Sequence, residues 1–229
     1  MASGTSELPL TGKWKLDMKK AHTVYKNAAG VRLPGVTTVL NELNKPALIG
    51  WANRMGLEGI DSTKFVDAAA RVGTVAHARI EAYLHGLELD ESNITPEELD
   101  LSANGFIRFM EWWDRSHLVC LGSELRLVSE KWQVGGTLDV LAKDTLTGER
   151  VLVDVKTGSG IYREARMQTA AYAAMYEETH EEKIERVVIA RVGKTLDDVF
   201  ELQEVFNRPA YEAAFEKLVV VHYALKGLK

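Results

Sequence analysis

Residues 121–160 read LGSELRLVSEKWQVGGTLDVLAKDTLTGERVLVDVKTGSG, and the fold turns on them. Upstream, to about His117, apolar residues recur every three or four positions. From Leu121 the period shortens towards two, the repeat of a strand with one buried face. A first strand runs from Leu121 to Lys131, with Leu125 and Leu127 on one face, and a second from Trp132 to Ala142. Asp144 to Glu149 is a turn, with Gly148 near its end. Val151-Leu152-Val153-Asp154-Val155 is short and mostly apolar, as in a buried central strand, and Gly158 and Gly160 break it.

Working outward, Arg163 to His180 is an Ala-rich helix, Val187 to Val192 and Val199 to Val205 are strands, and Pro209 opens a last helix to about Leu225. Upstream, Trp14 to Leu16, His22 to Tyr25 and Val31 to Leu33, with a turn at Asn27 to Gly30, suggest a small hairpin layer. Pro34-Gly35 breaks the chain before a short helix through Asn44, and Pro46 starts another with Leu48, Trp51, Ala52 and Met55 at helical spacing. Asp61 or Ser62 caps a long helix to His85, closed by Gly86. Thr95, Pro96 and Glu98 read as the capped start of a helix to about His117, with an apolar stripe of Phe106, Phe109, Met110 and Trp113. Helices, three strands, a helix, two strands and a helix predict an α/β fold: a mixed central β-sheet flanked by helices, behind an N-terminal helical layer. Three stretches follow: an extended or hairpin segment at 1–35, a helical layer at 36–117, and an α/β core at 118–229, together one domain.

The chain has 229 residues, 46% apolar and 27% charged, enough to bury a core without staples. The single cysteine, Cys120, excludes a disulfide framework and a four-thiolate iron–sulfur cluster or zinc ribbon. No apolar run approaches the roughly 18 residues of a membrane span. MASGTSELPL lacks a basic start and an apolar core, so no secretion signal and a cytoplasmic location are expected. The net charge of −5 argues against a surface that grips nucleic acid all round, though not against a local basic groove. Residues 88–107 carry six acids and no Lys or Arg, and read as a solvated loop and helix start.

The strongest local signal is Gly135-Gly136-Thr137-Leu138-Asp139, followed 15 residues later by Asp154-Val155-Lys156. The two strands are joined by a short turn, so they are expected to be antiparallel neighbours that bring Asp139 and Asp154 within reach of one cation. Two buried carboxylates repel each other unless protonated or neutralised, and an oxygen-only donor set suits Mg²⁺ or Mn²⁺. Lys156 leaves the same face as Asp154, where an ammonium orients a water or stabilises charge developing on phosphate. The paired glycines leave room for a backbone or a phosphate. A plainer reading makes Asp139 and Lys156 an ordinary ion pair. Gly193-Lys194-Thr195 looks like the end of a phosphate-binding loop, but Val188 stands where that pattern needs glycine.

Gly136-x-x-Asp139, Asp154-x-Lys156 and Gln168-x-x-x-Tyr172, preceded by Gly73-Thr74-Val75-Ala76-His77, resemble the motif series of RecB-type nucleases in the PD-(D/E)XK superfamily. The stretch Leu33 to Leu40, with Glu124 and Glu130 ahead of the glycine pair, is similar to the branch holding the mitochondrial genome maintenance exonuclease and related phage exonucleases. The likeness covers roughly residues 33–175. It implies a restriction-endonuclease-like core and a metal-dependent DNA exonuclease. Asp139, Asp154 and Lys156 would be catalytic. The aspartates and the carbonyl of Val155 would be ligands to Mg²⁺ or Mn²⁺, with His77 a ligand or a partner to one. Gln168 and Tyr172 would brace the site or touch DNA, and Glu130 would assist. Glu81, one turn after His77, is a further candidate, or only an i,i+4 partner. Arg163 and Arg166 lie where a phosphate could pass, or simply start a solvated helix. The likeness further implies a single-stranded DNA end as substrate, a role in recombination, repair or phage DNA metabolism, and a bacterial or phage-infected cell. A duplex-specific ring-forming exonuclease, a structure-specific endonuclease and a catalytically silent DNA-binding relative are the alternatives. Many RecB-type nucleases hold an iron–sulfur cluster, which one cysteine precludes here.

Overall fold

The computed structural model describes residues 13–15, 23–193 and 198–228. Most of the segment before Thr23, and Lys194-Thr195, lie outside the described residues. In chain order the elements are β1 (Lys13–Lys15), β2 (Tyr25–Lys26), β3 (Arg32–Leu33), α1 (Val36–Leu40), α2 (Pro46–Leu57), α3 (Ser62–Leu84), β4 (Glu88–Asp90), α4 (Pro96–Trp113), β5 (Leu118–Ser129), β6 (Val134–Asp144), β7 (Arg150–Lys156), α5 (Arg163–His180), β8 (Arg186–Arg191), β9 (Glu201–Glu204) and α6 (Arg208–Gly227).

The central sheet has the order β5-β6-β7-β8-β9. The first three strands are antiparallel, β7 and β8 are parallel across the α5 crossover, and β9 returns antiparallel. This is the mixed, helix-flanked sheet expected of a restriction-endonuclease-like core. Strand β7 sits at its centre, and Val151 to Val155 are all buried. One face packs on α1, α5 and α6 through Leu138, Leu141, Leu152, Met175 and Phe215. Ala170, Ala171 and Ala173 let α5 lie close to that face. The other face packs on α3 and α4 through Val140, Val153, Val155, Ile80, Phe109 and Trp113.

Local chemistry sets the helix ends. Asp61 accepts hydrogen bonds from the N–H groups of Thr63 and Lys64 and so starts α3. Thr95 and Glu98 form a reciprocal capping box on α4, with proline in its first turn. The acidic stretch departs from its reading as a loop: Glu88–Asp90 forms β4, parallel to β1, in a register that sets Lys13 opposite Glu88 and Lys15 opposite Asp90. The apolar spacing of α2 does form a helix, but none of its residues is buried. No helix among the described residues is long and apolar enough to cross a membrane.

Candidate active site

The site forms where β6 departs from regular pairing. The β5–β6 ladder matches Ser123 with Val140 and Leu125 with Leu138, skipping Glu124 and Asp139 between them. Glu124 there has φ +49°, a left-handed conformation unusual for a residue with a side chain. Leu138 and Leu141 belong to one core cluster although three residues apart, so the two-residue alternation slips at this point. The β6–β7 ladder begins only at Val140–Val153. In the gap beyond, the N–H of Val155 donates to Asp139 Oδ2 at 2.8 Å. A side-chain carboxylate thus takes a donor of the central strand and is fixed against its end.

Helix α3 supplies the next group. Gly73 packs on Thr157, immediately after β7: a Cβ at Gly73 would sit 2.8 Å from the threonine Oγ1. That close approach brings His77, one turn further on, to the sheet. Its Nδ1 lies 3.8 Å from Asp139 Oδ2. His77, Glu124 and Asp139 each offer a ligand atom, and these atoms all lie within 4.8 Å of one another. Glu81 and Ser123 line the same small cavity, and Ser123 Oγ is 3.4 Å from Glu81 Oε1.

The second half lies towards α5. Asp154 is 1% exposed, and neither carboxylate oxygen accepts a well-directed hydrogen bond. Its charge is met by the Lys156 ammonium, 2.6 Å from Oδ2. Burial, with Asp139 adding repulsion against the attraction of Lys156 and His77, pushes the Asp154 acid up to about 6. Burial works against the Lys156 ammonium, but Asp154 and Asp139 outweigh it and the Lys156 pKa rises. Lys156 Nζ donates to Gln168 Oε1 at 2.9 Å, and Gln168 Nε2 donates to the Tyr172 hydroxyl at 3.0 Å. Burial and the nearby aspartates hold the Tyr172 phenol protonated, well above its ordinary pKa.

The structure therefore brings His77, Asp139, Val155, Asp154, Lys156, Gln168 and Tyr172 together, with Glu81 beside them. Lys156 pairs with Asp154, not with Asp139. Glu130 is not among them. It sits in the β5–β6 turn, accepting from the N–H of Ala28 at 2.7 Å and from Gln133 Nε2 at 3.0 Å. Arg163 is the exposed first residue of α5, and Arg166 donates to Gln203. The glycine pair makes room for rings: a Cβ at Gly135 would lie 2.0 Å from the Tyr25 ring, and one at Gly136 2.5 Å from that of Tyr172.

Glu124 and Asp139 supply hard carboxylate oxygens and His77 a borderline nitrogen, while the buried Asp154 oxygens beside them lack directed partners. Both features fit a divalent cation such as Mg²⁺ or Mn²⁺.

No family model and no curated protein matches the chain. Among solved structures, a proposed exonuclease from Eubacterium rectale aligns with a TM-score of 0.45 and 14% identity over 65% of this chain. The alignment covers 63% of that protein, under two thirds of its length. A protein named SSO0001 aligns with a TM-score of 0.37 and 11% identity, over 66% of this chain and 71% of its own.

Proposed function

We propose that the protein is a metal-dependent deoxyribonuclease of RecB type that hydrolyses phosphodiester bonds from a free DNA end, preferring single strands. One observation carries the reading: a three-residue donor cluster of His77, Glu124 and Asp139 within 4.8 Å adjoins a buried Asp154–Lys156 pair. A phosphodiester is a strong anion whose cleavage builds further negative charge, and a cation–ammonium pair is what such a transition state needs.

His77, Glu124 and Asp139 would hold Mg²⁺ or Mn²⁺, with Asp154 and the Val155 carbonyl completing the donors. When bound, the ion would polarise the scissile phosphate and lower the pKa of the attacking water. Lys156 sets its ammonium against the phosphate oxygens, steadied by Gln168. The attacking water gives up a proton to solvent as its oxygen bonds to phosphorus, the bond to the leaving sugar oxygen breaks, and that oxygen takes up a proton from solvent. Tyr172, neutral at physiological pH, keeps the Gln168 amide turned so that its oxygen faces Lys156.

The test is cleavage of end-labelled linear and circular DNA, single- and double-stranded, with Mg²⁺, Mn²⁺ or EDTA. Loss of linear single strands with either metal, none with EDTA, and survival of circles is the expected result. Lys156→Ala lowers the rate on the order of 10²–10³-fold. Unchanged cleavage in that variant removes the assignment, and wild-type protein that binds DNA without cutting it would make this a binding module.

A further inference from the structure

Beside the site runs a groove that the chemistry above does not use. It occupies about 1050 Å³ between the β2–β3 hairpin, α1 and the end of α6. Tyr25, Arg32, Thr37, Thr38, His222 and Lys226 line it. Among its lining residues the one acid is Glu42, and His222 Nδ1 lies 2.8 Å from it. Leu33, Pro34, Leu225 and Leu228 form much of the rest of the wall, so in a chain of net charge −5 the trough sets two cations, Arg32 and Lys226, and several hydroxyls against one acid that already faces His222.

The hairpin adds a second observation. Its register sets Lys26 directly opposite Arg32, and both are exposed. Like charges facing each other across a strand pair lower stability, a penalty that a bound polyanion would offset. A third lies in the adjoining cavity of about 550 Å³, which shares Arg32, Leu33 and Lys226 and adds Lys131. Its acid, Glu216, lies 3.2 Å from Lys131. The two cavities together set Arg32, Lys131 and Lys226 against Glu42 and Glu216, and each of these acids already faces a basic side chain.

The groove's wall is tied to the strand that carries the site. Tyr25 lines it, and its hydroxyl lies 2.9 Å from Thr137 Oγ1, two residues before Asp139 on β6. The Tyr25 ring rests on Gly135, beside the Gly136 that seats Tyr172. A volume at or above the upper end for small-molecule pockets, with two cations set in an otherwise apolar and hydroxyl-bearing wall, suits a polymer better than a compact ligand.

We infer that this groove is the track along which the phosphate backbone of a single-stranded polynucleotide leaves the site, with Arg32 and Lys226 as phosphate contacts. The inference rests on the polynucleotide reading above. Binding is measured by fluorescence anisotropy of fluorescein-labelled oligo-dT across a salt series, in the Lys156→Ala background and in EDTA so that no strand is cut. The Arg32→Ala/Lys226→Ala pair weakens binding roughly tenfold and lowers the slope of log affinity against log salt by about 1.4, two contacts at about 0.7 each. Lys183→Ala, at the far end of β7–β8, leaves both unchanged; a like loss there would reduce the effect to general charge and overturn the track. Wild-type affinity and slope in a folded double variant overturn the track alone. No binding by the parent protein overturns both the track and the nuclease reading. Equal competition by poly-glutamate would make the groove an acidic-peptide site and overturn it.

Discussion

The two halves of the candidate site solve opposite electrostatic problems. Around Asp139 and His77 the side chains are 16% and 29% exposed, and water can share the charge. Asp154, across the gap in β6–β7 pairing, is 1% exposed and leans on one ammonium. The first half gathers the ligand atoms of His77, Glu124 and Asp139 within 4.8 Å of one another. The second is strained before anything binds, since a buried carboxylate without directed donors favours its protonated form. Stability and chemistry are therefore set against each other at Asp154.

The pH behaviour breaks or sharpens that contrast most strongly. An acid whose folded pKa lies above its unfolded one holds its proton more tightly when folded, so its contribution favours folding at low pH and fades as pH rises from 3.8 to about 6. That rise corresponds to about 3 kcal/mol at 1.36 kcal/mol per unit. In EDTA, the melting temperature of the wild type minus that of Asp154→Asn should fall as pH rises through this window. A flat difference would show that Asp154 is not strained.

Metal binding probes the other half. Saturating Mn²⁺, at about 100 times its dissociation constant, should stabilise the wild type by about 2.7 kcal/mol in thermal melts. Asp139→Asn and Glu124→Ala should lose most of this, and Glu130→Ala none of it. Retention in Glu124→Ala would remove Glu124 from the donor set.

Packing beneath the buried half gives a smaller effect. Gly136→Ala places a methyl 2.5 Å from the Tyr172 ring and should lower stability by about 2 kcal/mol in denaturant melts. If the variant is neutral, the ring has room to move and does not fix Gln168. Tyr172→Phe, which removes only the hydroxyl accepting from Gln168, should reduce stability by about 1 kcal/mol.

Glu124 and Glu130 show how far the sequence could be read. Both precede the glycine pair, and in sequence either could serve Asp139. Strand pairing separates them. A hairpin whose strands meet at Lys131/Trp132 is a mirror, and that mirror places position 124 opposite 139 and leaves 130 in the turn. The observed ladder, with Ser123 on Val140 and Leu125 on Leu138, has this register. The boundary between the two strands was legible from periodicity; applying the mirror would have found Glu124. The left-handed turn at Glu124 and the slip in β6 were not legible, because neither residue is a glycine that would announce them. Nor was it legible that Gly135 and Gly136 admit rings.

Apart from β4, which pairs with β1 across about 75 residues of chain, the sequence by itself determined the order and type of the elements from Tyr25 onward, because hydrophobic period, caps and breakers act over a few residues. It also placed Lys156 on the face of Asp154, since i and i+2 share a side of any strand. Only the tertiary structure decided which carboxylate joins His77 and Asp139, that Lys156 answers Asp154, and that Tyr25 ties the groove beside the site to Thr137 on β6. Those outcomes depend on register, on helix-to-sheet approach through Gly73, and on burial, which arise between segments distant in the chain.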